Sequence, residues 1–548
     1  MGILSVARAL YEAYLKVLMG EHRQATLDVS QQEALNKILN SIGGHSDVSL
    51  TAIQGPPGTG KTSMYVVALS DSLDKGYVSN DVKALYIAPT NQLVIETLTR
   101  YFEMMFSKGY EPRDLLPTVR VYGSKISPLS YGDREIVRRL NVEESELKKV
   151  CKYIDDDTLV IFTTEWQRVS GRVTGHFNAH MLVDEASRSP FFRPFVTVAD
   201  NIARRFSQGE EVELAPSLSV VGDPQQAVAL ESEYQLTGKG LLIMNKVINI
   251  LERLGLKERN YSFLRYTKRI PAPSERPISI AFYDGELRSS VDARTRLREL
   301  SSVKVDERLV NKLPNRRLAQ MLHNVLEMAL GSACPLILIR TTPFPRRETY
   351  HSERIMVASY VALLLSKTLA DNKLFYSLAV IAPYSDLVLS SKLYFNRLLE
   401  IAGIDRREMM TTPTFTTVQS MLGNEADIVI SILGKEWVGS DLEDLYLTIY
   451  YREPELLNVQ LSRHRRLQVV IGDPIRLRSA SAGLRRRIGM ERALPLSSIE
   501  IARLQVLSEG AGRLKALADA LLEMVGYERG TKRIWESPTG IMLDITTN

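Results

Sequence analysis

One stretch strongly limits what this chain can fold into: residues 54–62 read Q-G-P-P-G-T-G-K-T. The stretch matches the pattern G-x-x-x-x-G-K-[ST], whose defining positions are Gly55, Gly60, Lys61 and Thr62. An apolar run (50–53) precedes it and a helix-compatible run (63–69) follows, which is the strand-loop-helix context that the pattern requires. The stretch therefore predicts an α/β domain that binds a nucleoside triphosphate.

The residue types in this loop suit phosphate binding. Glycines let backbone N–H groups close on the phosphates, and the start of the following helix adds positive potential. Lys61 is expected to reach the β- and γ-phosphates, and Thr62 is expected to bind Mg²⁺. The residues expected to bind ATP in this loop are Gly55, Pro56, Pro57, Gly58, Thr59, Gly60, Lys61 and Thr62.

The composition is that of an ordinary globular protein. The chain has 548 residues, 45% hydrophobic and 24% charged, which allows two or three domains with real cores. The sequence contains no long uncharged apolar run that would predict a transmembrane span, so no membrane association is expected. Cys151 and Cys334 lie far apart and suggest neither a disulfide framework nor a zinc site. A reducing, intracellular compartment such as the cytoplasm is therefore expected.

Two series of short apolar runs alternate with helical stretches. The first comprises 50–53, 84–88, 158–162, 180–183 and 218–221, and the second 336–339, 377–381, 414–418, 428–432 and 468–471. Continuous apolar runs are typical of parallel strands buried on both faces. We therefore predict two tandem α/β domains with parallel sheets. The predicted order is an N-terminal helix (1–26), a first domain (27–260) with a mostly helical insertion (about 101–157), a second domain (261–480) and a basic, helical extension (481–548).

Two further strand ends carry groups suited to ATP hydrolysis. One apolar run ends in Asp184 and Glu185, and another is followed by Gln226 in G-D-P-Q-Q. Beside a phosphate-binding loop, Asp184 is expected to bind Mg²⁺ and Glu185 to act as general base for the attacking water. Gln226 is expected to sense the γ-phosphate and this water.

Hydrolysis also requires positive charge on the γ-phosphate in the transition state. An arginine in that position is worth roughly 10³–10⁵ in rate. Arg269 and Arg463, both in the second half of the chain, are the candidates. If they reach ATP bound by the first domain, the nucleotide lies in a cleft that hydrolysis opens and closes.

In this order the motifs resemble those of superfamily 1 helicases, and most of all the up-frameshift/senataxin-like (Upf-like) branch of superfamily 1B. The resemblance covers about residues 27–477 and implies that both domains are RecA-like. L-D-V-S-Q resembles the family's Q motif, in which Gln31 would read adenine. Arg269, Glu425 and Arg463 lie in segments that resemble Y-R-M-H-P, Q-G-R-E and L-N-V-A-L-T-R-A-R, and Glu425 would face the nucleotide.

Four other segments, A-P-T-N, F-T-T, I-A-P-Y and T-V-Q-S-M-L-G-N-E, resemble the family's nucleic-acid contacts. The contacts so implied are Pro89, Thr90, Asn91, Thr163, Thr164, Pro383, Tyr384 and Thr417. The implied activity is ATP-driven 5′-to-3′ translocation on single-stranded DNA or RNA, with duplex unwinding. We expect a monomer whose C-terminal region is open to protein partners. Tyr384 and Trp166 are candidates for stacking on a base, although simple core packing is the favoured interpretation of Trp166.

Departures from the family pattern keep alternatives open. Lys268 replaces the tyrosine of Y-R-M-H-P, Leu422 and Asn424 replace two residues of Q-G-R-E, and few residues precede the Q motif where many relatives carry a β-barrel. One alternative is an ATPase that clamps or remodels ribonucleoprotein without processive unwinding. Another is a protein remodeller of the AAA+ class, which shares G-P-P-G-T-G-K-T but places a small helical lid where this sequence predicts a second α/β domain.

Overall fold

The computed structural model describes residues 3–21, 26–123, 138–140, 142–169, 177–209, 215–226, 241–345, 348–409, 411–436, 449–491, 498–530 and 532–546. The chain divides into two compact units, Met1–Arg265 and Tyr266–Asn548. Each unit contains a seven-stranded sheet. The predicted fold class, two tandem α/β domains with parallel sheets, is confirmed.

The first unit is built on an all-parallel sheet. Its strands are β1 (Leu50–Gln54), β2 (Val82–Ala88), β3 (Val119–Tyr122), β4 (Val160–Thr164), β5 (Asn178–Val183), β6 (Leu218–Gly222) and β7 (Tyr261–Phe263). They lie in the order β3-β4-β2-β5-β6-β1-β7, and every neighbouring pair is parallel. Its α-helices are Ile3–Leu18, Val29–Ile42, Lys61–Asp74, Asn91–Ser107, Pro112–Leu115, Glu144–Val150, Arg193–Val196, Ala199–Ser207, Ile243–Arg253 and Lys257–Asn260.

The N-terminal helix Ile3–Leu18 packs on the helix Asn91–Ser107. Val6 and Leu10 are fully buried, and the ring of Tyr14 meets that of Phe106 edge to face at 5.8 Å. Apolar side chains at this helical spacing form one face, so burying that face holds the helix on the unit.

The segment predicted as an insertion differs from the expectation. Tyr101 lies inside the helix Asn91–Ser107, and β3 is the edge strand of the sheet, paired in parallel with β4. Arg120, in the middle of β3, is buried and forms a bidentate ion pair with Asp155 at 2.5 Å. A charged residue interrupts the apolar pattern of so short a run, so hydrophobicity alone does not predict this strand. Within the predicted insertion, a helix spans Glu144–Val150.

The second unit is built on a mainly parallel sheet. Its strands are β8 (Tyr266–Thr267), β9 (Arg288–Ser289), β10 (Leu336–Arg340), β11 (Leu378–Ala382), β12 (Thr414–Thr417), β13 (Ala426–Ile432), β14 (His464–Gly472), β15 (Ile534–Glu536) and β16 (Ile541–Asp544). The large sheet has the order β12-β11-β13-β14-β10-β16-β15, and β8 pairs with β9. Its α-helices are Arg276–Phe282, Ala293–Leu297, Glu307–Val310, Arg316–Gly331, Ser352–Asp371, Ser385–Ala402, Ile449–Arg452, Glu455–Leu461, Pro474–Glu491 and Ser498–Met524.

The sequence predicts a basic, helical extension over residues 481–548, but the end of the chain also contains strands. The helix Ser498–Met524 lies within the predicted helical extension, but β15 and β16 follow it. β16 pairs in parallel with β10, and β15 is antiparallel to β16. Ile541, Met542 and Leu543 are buried, so this short apolar run completes the sheet of the second unit. A run of three apolar residues carries too little pattern to be distinguished from a loop.

None of the helices within the described ranges is both long and apolar enough to cross a membrane. The second unit has a seven-stranded sheet where an AAA+ protein remodeller would carry a small helical lid.

Candidate nucleotide and nucleic-acid sites

The predicted phosphate-binding loop connects β1 to the helix Lys61–Asp74 in the first unit. Gly58 and Gly60 have φ values of 71° and 77°, a left-handed conformation that side chains disfavour. A Cβ atom on Gly55 would lie 2.4 Å from Cγ of Lys61, and one on Gly60 would lie 2.6 Å from Nε2 of Gln31. The path of the loop therefore depends on glycine at these positions.

Lys61 is held over this loop by a contact to its backbone. Its Nζ donates a hydrogen bond to the carbonyl oxygen of Gly55 at 2.8 Å and lies 3.8 Å from Oε1 of Glu185. The structure thus places the lysine and the predicted general base next to each other, at the start of the helix Lys61–Asp74.

Asp184 lies at the carboxyl end of β5 and is buried. Its Oδ2 accepts hydrogen bonds from Thr62 Oγ1 at 3.2 Å and from the Tyr86 hydroxyl at 2.8 Å, and its Oδ1 accepts one from the backbone N–H of Glu185 at 2.8 Å. Burial, with a further contribution from the charge of Glu185, raises the pKa of Asp184 to about 6. A hydroxyl and a carboxylate oxygen in contact are ligands that Mg²⁺ prefers, so these two residues fit the predicted metal.

Two buried tyrosines that the sequence analysis missed support this arrangement. Tyr86, on β2, hydrogen-bonds Asp184 and Thr97, the latter at 2.9 Å between oxygens. The Tyr65 hydroxyl donates to the backbone oxygens of Val183 and Ser219, at 3.2 and 2.8 Å. Burial raises the pKa of both phenols well above the ordinary value. A tyrosine within a continuous apolar run is expected to be buried, and its hydroxyl then needs a buried hydrogen-bond partner. This requirement is the signal in the sequence that could have identified these residues.

Glu185 and Gln226 occupy the ends of two neighbouring strands, β5 and β6. Glu185 is half-buried and has φ of 51°, a left-handed conformation that is unusual for a residue with a side chain. Gln226 Nε2 donates to Oδ2 of Asp223 at 2.6 Å, while Gln54 Nε2 lies 3.4 Å from Oδ1 of the same carboxylate. Asp223, another residue not predicted, therefore links the predicted γ-phosphate sensor to the end of β1.

Gln31 lies against the phosphate-binding loop. Its Oε1 accepts a hydrogen bond from the backbone N–H of Asp28 at 3.0 Å, and its Nε2 donates to the carbonyl oxygen of Thr59 at 2.7 Å. Because Asp28 also caps the helix Val29–Ile42, this side chain joins the helix start to the loop. Both ends of the amide are engaged within the protein, and the reading of adenine by Gln31 stays a prediction.

The predicted nucleic-acid contacts of the first unit lie at the carboxyl ends of two neighbouring strands, and we call this side of the sheet its edge. β2 and β4 are neighbours, and Ala88 lies opposite Thr164. Beyond β2, Pro89 is half-buried and Thr90 and Asn91 are exposed; Thr90 caps the helix Asn91–Ser107 by accepting a hydrogen bond from Leu93. Thr163 and Thr164, by contrast, are buried. The exposed side chains at this edge are therefore those that follow β2, and those at the end of β4 point into the protein.

The structure contradicts the favoured interpretation of Trp166, which was simple core packing. This residue lies two positions beyond the end of β4, and 61% of its surface is exposed. Core packing is therefore wrong as an explanation for this aromatic residue.

The predicted contacts of the second unit are arranged in the same way. β11 and β12 are neighbours, and Ala382 lies opposite Thr417. Pro383 is buried, and the half-buried ring of Tyr384 meets that of Phe344 edge to face at 5.8 Å. Thr417 is half-buried, and its hydroxyl lies 3.1 Å from that of Ser420. The register of two parallel strands thus brings these three residues to one sheet edge, but the Tyr384 ring has a protein partner there.

The three remaining site residues, Arg269, Glu425 and Arg463, meet within the second unit. Glu425 accepts from Arg269 Nε at 2.5 Å and pairs with Arg465 at 2.9 Å. Arg463 is buried, and its guanidinium donates to the backbone oxygens of Val459 and Asn424 at 3.1 and 3.5 Å. Both candidate arginines are thus bound to groups of their own unit.

Comparisons with known proteins agree with these motifs. The model of the family described as "AAA domain" (AAA_11) matches residues 26–153. The chain is 22% identical over 464 residues to the Danio rerio protein described as "Putative helicase mov-10-B.1". That alignment covers 82% of this chain and 42% of the relative, so the chain spans about two fifths of the relative's length.

Solved structures of helicases show only a loose similarity to this chain. One is described as "S. cerevisiae Dbp5 bound to RNA and ADP BeF3" (12% identity, 84% of this chain, 86% of that chain, TM-score 0.34). Another is "DEAD-box helicase Mss116 bound to ssRNA and UDP-BeF" (11% identity, 88% and 81% coverage, TM-score 0.34). Similarity at this level carries no weight for the sites.

The ordered motifs and the first two matches point to the same family resemblance. The motifs lie at the carboxyl ends of parallel strands in two α/β units, the family model covers the phosphate-binding loop, and the relative aligns over most of the chain. The chain thus resembles the Upf-like group of superfamily 1 helicases, and the family model over residues 26–153 and the 22% identical relative both support that resemblance.

Proposed function

We propose that this protein is an ATP-driven motor that moves 5′ to 3′ along single-stranded nucleic acid and unwinds duplexes. The observation that carries the proposal is the contact between the phosphate-binding loop and the end of β5. There Thr62 touches Asp184, and Lys61 lies beside Glu185. The similarity to a protein described as a putative helicase supports the same activity.

ATP hydrolysis is assigned to the first unit. Lys61 exchanges the carbonyl oxygen of Gly55 for the β- and γ-phosphate oxygens of the incoming nucleotide. Thr62 and Asp184 would hold Mg²⁺, which would supply positive charge to these phosphates. The carboxylate of Glu185 accepts a proton from water as the water oxygen attacks the γ-phosphorus, and the bond to the β–γ bridging oxygen breaks to give ADP and phosphate. Gln226, fixed by Asp223, positions this water.

The second unit is assigned the arginines that act on the transition state. Arg463 must release the backbone oxygens of Val459 and Asn424 before it can bind a γ-phosphate, and Arg269 must release Glu425. We propose that nucleotide binding causes this exchange, because a triphosphate is a stronger partner for the Arg463 guanidinium than neutral carbonyl oxygens, and it competes with the Glu425 carboxylate for Arg269 through its larger negative charge. The exchange then couples the state of the nucleotide to the second unit.

Nucleic acid is assigned to the sheet edges formed by β2 with β4 and by β11 with β12. Backbone contacts at these edges would not depend on base identity, so either DNA or RNA could serve as the track. Each unit has its own set of such contacts, and a change in one set relative to the other would move the strand.

The first test is steady-state ATPase activity without nucleic acid, with single-stranded DNA and with single-stranded RNA, each at two salt concentrations. Strong stimulation is expected, with binding that weakens as salt rises by a log–log slope of about −0.7 per neutralised phosphate. The better activator identifies the track. High basal activity that neither nucleic acid increases would contradict the proposal and favour a protein substrate.

A further inference from the structure

Trp166 is the exposed aromatic residue nearest in sequence to the proposed nucleic-acid edge of the first unit. It follows Thr164, the last residue of β4, by two positions, and 61% of its surface is exposed. An exposed indole forgoes the stabilisation that its large apolar surface would gain by burial. This observation calls for a partner outside the folded unit.

The indole is exposed but held in position. The guanidinium carbon of Arg193 lies 3.9 Å from the centre of the ring, close enough to stack on it. Arg193 in turn pairs with the buried carboxylate of Glu165 at 3.3 Å. The backbone N–H of Glu165 donates to the carbonyl oxygen of Ala88 at 3.1 Å, which ties the end of β4 to the end of β2. The ring is therefore supported on one side by Arg193, whose partner Glu165 is hydrogen-bonded between the ends of β4 and β2.

The surroundings of this ring suit a single-stranded nucleic acid. Ala88 lies opposite Thr164, so the exposed Thr90 and Asn91 begin at the same edge from which Trp166 projects. Phe192, the neighbour of Arg193 in sequence, is also exposed, at 59% of its surface. Backbone-binding groups beside exposed rings are the combination by which proteins bind single strands without reading sequence.

We propose that Trp166 is a stacking platform for one base of the bound strand, an assignment that rests on the proposed function. The base stacks on the side of the indole that Arg193 leaves open, and Arg193 keeps the ring at a fixed angle. Because every base has an aromatic face, this contact adds affinity without sequence preference. It supplies a base contact that none of the residues identified by the motifs provides in the first unit.

The decisive experiment compares two ligands of equal length and phosphate number, an oligothymidylate and the same backbone made of abasic nucleotides. Their affinities are measured for the full-length wild-type protein, Trp166→Ala, Trp166→Phe and Phe206→Ala. Phe206 is the matched control: it is 78% exposed, but its helix is tied through Arg205 to Asn178 at the amino end of β5, away from the carboxyl ends of the strands.

Trp166→Ala is expected to weaken binding of oligothymidylate by roughly 5- to 150-fold, the equivalent of one stacked base. It should leave binding of the abasic ligand and the salt slope unchanged, since no phosphate contact is lost. Trp166→Phe should retain most of the affinity, and Phe206→Ala should behave like the wild type. Quenching of Trp166 fluorescence by oligothymidylate should disappear in Trp166→Phe.

Other outcomes separate failure of this inference from failure of the proposed function. If the wild type binds oligothymidylate and Trp166→Ala binds it equally well, stacking by Trp166 is refuted while the proposed function stands. An equal loss for both ligands, or a lower unfolding temperature of Trp166→Ala, would refute stacking in favour of a structural role. If the wild type binds neither these ligands nor single-stranded RNA, both proposals fall, and the exposed rings of Trp166 and Phe192 would then be a surface for a protein partner.

Discussion

Asp184 and Glu185 are adjacent in sequence but occupy different environments. Asp184 is buried and accepts three hydrogen bonds, so its position is fixed. Glu185 is half-buried in a left-handed backbone conformation, and its carboxylate lies 3.8 Å from the Lys61 ammonium. One carboxylate is thus suited to hold a cation, and the other to approach a reacting water.

Replacement of Glu185 by Gln should separate ATP binding from ATP hydrolysis. The amide keeps the size of the side chain but cannot accept a proton from water, so ATP should bind and remain intact. Nucleotide binding, single-turnover hydrolysis and the lifetime of the nucleic-acid complex would be measured together. Lys61→Ala is the contrasting variant, because it should lose turnover through loss of a phosphate contact. Normal turnover by Glu185→Gln would refute its role as general base.

Arg463 offers a second test at the scale of one residue. Arg463→Ala should lower kcat by roughly 10³- to 10⁵-fold, because a charge on the transition state is lost, while nucleotide affinity changes little. The matched control is Arg397→Ala, an exposed arginine on the helix Ser385–Ala402 whose partner is Glu400. Unchanged kcat in Arg463→Ala would leave Arg463 as a structural link between the carbonyl groups of Val459 and Asn424.

At the scale of elements, the strand ends were predictable and much of what supports them was not. Each of the ten apolar runs predicted as strands overlaps an observed strand, because continuous hydrophobicity is a local signal. Strand β3 was missed because its central Arg120 is neutralised by Asp155, a partner distant in sequence. The exposure of Trp166 and the contacts of Tyr86 likewise depend on which strands become neighbours, and no local pattern encodes that.

β14 begins at a buried histidine that should make stability depend on pH. Nε2 of His464 lies 2.8 Å from the hydroxyl of Ser274, and burial, reinforced by the positive charge of Arg269, lowers the pKa of His464 to about 3. In the unfolded chain, His464 therefore binds a proton below about pH 6.5, whereas in the folded unit it binds one only below about pH 3. Above this pH window the contribution of His464 to the free energy of unfolding is fully present. It is lost as pH falls through the window, by up to about 1.4 kcal/mol per pH unit.

The measurement is the unfolding midpoint of the wild type and of His464→Gln between pH 8 and pH 4. The difference between the two proteins should shrink or reverse as pH falls, since Gln does not titrate. His180 in the first unit has its pKa lowered to about 4 by burial and adds a similar, separate dependence. Parallel pH curves for the wild type and His464→Gln would show that His464 contributes none.

For the whole molecule, the direction of movement is the prediction that distinguishes a motor from a clamp. Both units place their predicted nucleic-acid contacts at the ends of neighbouring parallel strands. A strand-displacement assay with duplexes carrying a 5′ or a 3′ single-stranded tail should show ATP-dependent unwinding only of the 5′-tailed substrate. Stimulated ATPase activity without displacement of either duplex would favour the clamp, and displacement of the 3′-tailed substrate would reverse the proposed polarity.

The pairing of β10 with β16 has a consequence for how the protein is made. The two strands lie about two hundred residues apart in sequence, and no closer segment occupies that side of β10. At ~5–20 residues per second, a ribosome needs about 10–40 s to deliver the second strand after the first. During that interval the nascent chain presents an open parallel edge, which is a template for pairing with other chains. Chaperone demand during synthesis should therefore concentrate on the second unit.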